Sequence, residues 1–194
     1  MEKVAALISA LLALSAAPPY IIDTLNRKTK PQRATWLIFS VLSTIAFVSQ
    51  LKLGASWSLV FLGLDALASM VVLGLSIPLG VGGHTQLDKV VLAIAGIGTV
   101  ISVVTDRPII ALLGVIAADI CGFVPTIKKA YLDPGSETTI SWLLFGGAGL
   151  FGALAVGSLE AKLLIYPLYI ALVSFSIPLV QLISPKGNKA RAKT

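Results

Sequence analysis

Long apolar runs, each closed by a short polar or Pro/Gly break, order the whole chain. A bilayer core about 30 Å thick takes about 20 apolar residues of helix. Runs of that kind lie near 4–22, 34–52, 55–77, 88–104, 108–127, 139–157 and 162–184. Between them come Asn26 to Arg33, Pro78 to His84, Asp106–Arg107–Pro108 and Asp133–Pro134–Gly135, which are turn-forming stretches. The pattern predicts an all-α integral membrane protein with seven transmembrane helices. The fourth run is the marginal one, because Val90 to Val104 covers only about 22 Å at 1.5 Å per residue.

Composition agrees with a bilayer partner. Charged residues make up 12% of the chain and hydrophobic ones 56%, whereas soluble domains carry about 25% charged residues. The net charge of +6 does not point to nucleic acid, since the cations sit in clusters between apolar runs and read as topology signals. With seven spans and the N-terminus outside, the inside segments hold eleven cations: Arg27, Lys28, Lys30, Arg33, Lys89, Lys128, Lys129, Lys186, Lys189, Arg191 and Lys193. The outside segments hold Lys3, Lys52, Arg107 and Lys162. Removing the fourth span would erase that bias, so an N-out, C-in topology is expected. Lys3, an apolar run and Ser15–Ala16–Ala17 also fit a signal peptide, but cleavage there would export the Arg27–Arg33 cluster.

The chain also repeats itself. A shift of 106 residues places Pro19 on Pro125, Ile21 on Ile127, Trp36 on Trp142, Leu37 on Leu143 and Phe39 on Phe145. In both copies the proline is expected to close a helix, a basic loop follows, and the tryptophan opens the next helix. The unit is three helices, and three is odd, so a fourth helix is needed to restore orientation. This predicts two parallel three-helix repeats, 1–79 and 107–184, joined by a linker loop and inversion helix over 80–106 and followed by a basic cytoplasmic tail, 185–194.

This 3+1+3 layout, with a proline near the end of helices one and five and a basic loop after it, resembles the SWEET/PQ-loop transporters. Tyr20 and Thr126 stand where that family carries Gln after the proline. Asn26 and Asn188 are the only asparagines and neither lies in a span, so the family's Asn/Trp sugar contacts are not matched. The segments Pro19 to Trp36 and Asp119 to Glu137 also look like small prokaryotic membrane proteins, which implies a prokaryotic cytoplasmic membrane. The resemblance implies a transporter working by alternating access.

Candidate chemistry is sparse. Seven acids (Glu2, Asp23, Asp88, Asp106, Asp133, Glu137 and Glu160) fall in loops or at helix ends, but Asp65 and Asp119 lie inside spans three and five. An ionisable residue within the membrane is costly and marks a functional site by default. No base lies at their depth, so each is expected to carry or exchange a proton, or to act as a structural acid bonded to a neighbouring helix. Ser58, Asp65, Ser69 and Ser76 recur at +7, +4 and +7, within about 40° on one helix face. That stripe is expected to wall a polar cavity, although serines in membrane helices also bond their own backbone or serve at helix contacts. Span two carries a looser stripe in Trp36, Ser40, Ser43 and Gln50.

Trp57 joins the substrate candidates by its ring and also fits an interfacial anchor. Trp36 and Trp142 read as interfacial anchors, and Pro19 and Pro125 as paired hinges or helix terminators. The Gly146, Gly147, Gly149 and Gly152 run predicts close packing of helix six, and His84 reads as a solvated turn residue. One cysteine, Cys121, and one histidine exclude an intramolecular disulfide and a thiolate metal site. No Walker loop or nucleophile triad is present; neither catalysis nor a cofactor or metal is expected. Two interior acids and no base favour a small polar neutral or cationic solute, with proton coupling as an open question. The alternative is a non-transporting receptor or sorting protein on the same scaffold, similar to the KDEL-receptor family, whose ligand carboxylate would need an interior cation.

Overall fold

Residues 1–83, 85–104 and 107–185 are described in the computed structural model. Seven helices follow one another: α1 (Glu2–Leu25), α2 (Arg33–Lys52), α3 (Leu59–Leu79), α4 (Gln86–Val104), α5 (Pro108–Leu132), α6 (Thr139–Leu154) and α7 (Ala161–Ile183). A single 3-10 turn, Pro134–Ser136, precedes α6. Among the described residues the only extended pairing is an isolated bridge between Gln32 and Val81. The turn at His84, Asp106 and the basic tail from Lys186 to Thr194 lie outside the described residues.

Helix α1 is sorted by size rather than by polarity alone. On α1 the buried face is Ala5, Ala6, Ser9, Ala13, Ala16, Tyr20 and Thr24, while Leu7, Leu11, Leu14 and Ile22 point outward. A water-soluble helix does the reverse, burying its large aliphatic side chains. Small residues inside and large aliphatic ones outside suit helices packed together in lipid. Helices α1, α2, α3 and α7 are long and apolar enough to cross a membrane, and α6 is a shorter apolar helix of 16 residues. The chain is an all-α protein of membrane character.

Two helices run further than the sequence pattern suggests. Pro19 and Pro125 were expected to close α1 and α5, yet α1 continues to Leu25 and α5 to Leu132. Proline removes one backbone bond and crowds the preceding turn, but here the ladder resumes beyond it. Both prolines are therefore interior breaks in continuous helices, not terminators. At Pro125 the disturbed turn gains support from α2: Thr35 Oγ1 donates to the Gly122 carbonyl at 2.8 Å, and Thr126 Oγ1 donates to Thr35 Oγ1 at 3.0 Å.

Packing joins α1 to α3 and α6, α2 to α3 and α5, and α7 to α5 and α6, while α4 lies on α5 and α2. Glycines set the closest of these approaches. A Cβ at Gly149 would lie 2.9 Å from both the Ala171 nitrogen and the Pro167 carbonyl oxygen of α7, and one at Gly122 would meet Ile38 of α2 at 2.8 Å. The expected glycine-mediated packing of helix six is seen at Gly149.

The loops gather at two ends. At one end the α1–α2 loop is tied to the α5–α6 loop, with Thr138 Oγ1 bonded to Asp23 at 3.0 Å and to Thr29, and the Lys30 nitrogen donating to the Ser136 carbonyl. The same α1–α2 loop is clasped to the α3–α4 loop: Gln32 donates to Asp88 at 2.7 Å, and Arg33 donates to the Ser76 and Gly82 carbonyls. Gln181, near the end of α7, donates to the Pro134 and Glu137 carbonyls there. At the other end Lys3 lies over the Trp57 ring, and Gln50 donates to the Lys162 carbonyl at 3.3 Å.

Candidate functional site

A cavity lies inside the bundle, walled by α1, α2, α3, α5, α6 and α7. It offers about 70 Å³ to the centres of water-sized molecules. One water needs about 10–15 Å³ by that measure, so several waters or one small organic solute fit. The wall is mostly apolar and aromatic, and no Lys, Arg or His lines it among the described residues.

Both interior acids face this space. Asp65 and Asp119 are 6% and 4% exposed and both line the cavity. Each is met by a tyrosine of α7: the Tyr166 hydroxyl lies 3.4 Å from Asp65 Oδ2, and the Tyr169 hydroxyl donates to Asp119 Oδ2 at 2.7 Å. The two phenol rings lie one helical turn apart, 6.3 Å between centroids. A hydroxyl donor satisfies one lone pair of a carboxylate and brings no countercharge. Asp65 is the seventh residue of α3, about 9 Å from its start, so it sits in the first third of the helix and not at its centre.

The opposite pole of the cavity is aromatic. Tyr20 of α1, Trp36 of α2 and Trp142 of α6 form a triangle with centroids 5.2, 6.2 and 6.2 Å apart. Phe39 and Phe123 extend it, Phe123 meeting Trp142 edge-on at 5.6 Å. Trp36 Nε1 donates to the Tyr20 hydroxyl at 3.2 Å, and Trp142 Nε1 donates to Glu137 at 2.9 Å. Glu137 is buried and paired with Lys129 at 2.5 Å. This cluster separates the cavity from the tied loops of α1–α2 and α5–α6.

These positions revise several assignments. Trp36 and Trp142, expected as interfacial anchors, are only 9% and 5% exposed and line the cavity, their indoles packed at a tilt with centroids 6.2 Å apart inside the bundle. Trp57, a substrate candidate, lies outside the cavity; it is 43% exposed and capped by Lys3, as an anchor would be. The Ser58–Asp65–Ser69–Ser76 stripe does face inward, but only Asp65 and Ser69 reach the cavity. Ser58 opens α3, and its carbonyl accepts from Leu62. Ser76 donates to the Leu73 carbonyl, one turn back along α3.

Sequence reasoning missed Tyr166, Tyr169 and Glu137. Tyr166 and Tyr169 are three apart in a span that otherwise reads as aliphatic, and that spacing on one face was the available signal. Glu137 was placed in a loop, which is correct for its backbone; its burial comes from Trp142 and Lys129 on either side.

Comparison with family models, with curated proteins and with solved structures finds no match for this chain. The reading of its function rests on the site itself.

Proposed function

We propose that the chain is a small SWEET-like transporter that crosses the membrane seven times and moves a small polar neutral or cationic solute by alternating access. The observation that carries this reading is a central cavity bounded by six helices and holding two acids and, among the described residues, no base. Intramembrane acids facing a cavity mark solute or proton pathways. A further support is the packing pattern: exchanging α1 with α5, α2 with α6 and α3 with α7 turns α1–α3 into α5–α7, α2–α3 into α6–α7, and α1–α6 into α5–α2. Helix α4 has no counterpart in that exchange, as befits an inversion linker between two parallel three-helix repeats. The tied end carries Arg27, Lys28, Lys30, Arg33, Lys128 and Lys129, which favours that end as the cytoplasmic one and the N-terminus as outside.

In this reading a solute binds between the acids and the aromatic cluster, and the helices rock about the breaks at Pro19 and Pro125. Asp65 and Asp119 hold protons while the cavity is empty and release them to water as a cationic solute takes their place, which couples the two fluxes. Reconstitution into liposomes with an internal pH dye, with Asp65→Asn and Asp119→Asn alongside, tests it. Solute-dependent uptake with proton movement, lost in either variant, is the expected result. Uptake unchanged in both variants overturns the coupling, and saturable binding without any uptake favours a receptor instead.

A further inference from the structure

The cavity is asymmetric along its length, and that asymmetry describes a ligand. We propose that it binds an amphipathic organic monocation, an amine carried on a flat apolar or aromatic body, with the ammonium at Asp65 and Asp119 and the body against Trp36, Trp142 and Phe123. The inference deepens the transporter reading by naming the solute class, and rests on that reading only for movement, not for binding.

Three observations lead there. The acid pole lacks a countercharge: the donors reaching the two carboxylates, Tyr166, Tyr169 and Ser69, are neutral hydroxyls, and the cavity wall holds no cationic side chain among the described residues. An entering ammonium supplies that charge, whereas an anion meets two carboxylates and no donor of positive charge. The aromatic pole, about 6 Å of helix rise away along α5 from Asp119 to Phe123, offers mainly ring faces. A sugar lodged there would leave several hydroxyls unpaired, while a flat apolar body stacks on the rings.

The third observation concerns two serines of the cavity wall. Ser43 of α2 and Ser141 of α6 both line it, both are buried, and neither hydroxyl has a hydrogen-bond partner. Buried polar side-chain atoms are satisfied in the large majority of cases. Two orphaned hydroxyls, Ser43 two turns further along α2 than Trp36 and Ser141 beside Trp142 on α6, suit a ligand carrying one polar group on its body. They are too few for a polyol.

The test uses the purified full chain in detergent and calorimetric titration with 2-phenylethylamine. Its neutral analogue 2-phenylethanol, its anionic analogue 3-phenylpropionate, bodiless ethylamine and glucose serve as comparators. The expected result is saturable binding of 2-phenylethylamine, with every comparator at least tenfold weaker. Asp65→Asn and Asp119→Asn should each weaken the amine at least tenfold and leave 2-phenylethanol unchanged, and Asp65→Glu should recover much of the loss. Trp142→Leu should weaken 2-phenylethylamine and leave ethylamine as it was. Equal affinity for the amine and the alcohol, preference for glucose, or no binding of the amine by the intact chain overturns the inference. These comparisons on the unmodified protein do not depend on any variant folding. Amine binding without uptake in liposomes overturns transport and leaves this inference standing; uptake of neutral polar solutes without amine binding does the opposite.

Discussion

The Tyr169 hydroxyl donates to Asp119 at 2.7 Å and so joins the middle of α5 to the first half of α7. One turn earlier on α7, Tyr166 stands 3.4 Å from Asp65 of α3. A single helix thus supplies the donors for both interior acids, which come from two other helices.

The two bonds differ in length, and their removal should differ in cost. Tyr169→Phe deletes a short donor to a buried carboxyl and is expected to destabilise by about 1–2 kcal/mol, in the upper range for hydrogen bonds between membrane helices. Tyr166→Phe deletes a contact at the edge of hydrogen-bonding distance and should cost less than half of that. Unfolding midpoints in detergent check the order. A larger loss for Tyr166→Phe would contradict the geometry.

Both acids were legible in the sequence, because a carboxylate inside an apolar run is conspicuous. What they faced was not. Asp119 aligns with Ala13 across the 106-residue shift, and Ala13 also lines the cavity, so equivalent positions share the site while only one carries the charge. The helix positions followed from the apolar periodicity to within a few residues, with α1 and α5 running past their prolines as the main exception. Trp36 and Trp142 were misplaced for a physical reason. A tryptophan at the start of a span fits a lipid interface or an interior stack equally well by sequence, and only the inward register of α2 and α6 decides between them. Glu137 illustrates the same limit, since a loop backbone says nothing about whether its side chain folds under a neighbouring indole.

Close helix approach at Gly149 gives a second expectation. A methyl group there would press on the α7 backbone at Ala171 and Pro167, neither of which can rotate away. Gly149→Ala should cost about 1–3 kcal/mol as overpacking. Gly74 of α3 is exposed, and a Cβ there meets nothing within 4 Å; Gly74→Ala should be neutral or stabilise by up to about 1 kcal/mol through helix propensity. Thermal unfolding of the two variants beside the parent reads the contrast.

The ion pair beneath the aromatic cluster gives a third. Glu137 is buried, pairs with Lys129, and accepts from Trp142 Nε1. Glu137→Ala leaves Trp142 Nε1 without a partner and Lys129 with only the Lys30 carbonyl, and should destabilise by about 3 kcal/mol, the lower range for breaking a buried pair. Lys129→Ala leaves Glu137 with the Trp142 bond still made and should cost less. Trp fluorescence offers a local readout: Glu137→Ala should shift the emission of Trp142, whereas Lys129→Ala should leave it close to the parent. The reverse order would mean that Lys129 and not Glu137 organises this end.

The prolines give the last expectation. Because α1 and α5 continue beyond Pro19 and Pro125, replacing either with alanine restores an amide donor without having to build a new helical turn. Pro125→Ala should therefore keep the fold and raise its thermal stability, since proline in a helix interior costs about 3 kcal/mol and only part of that is offset by the Thr35 bond to Gly122. A stiffer helix is a poorer hinge. In the transporter reading Pro125→Ala should retain solute binding within about twofold while uptake falls at least tenfold. The partner variant Thr35→Val removes the external support of the break and should lower stability without stiffening α5. Binding and uptake falling together in Pro125→Ala would place the proline at the solute site and dismiss it as a hinge. Uptake unchanged in a more stable protein would show that the break at Pro125 does not move during transport.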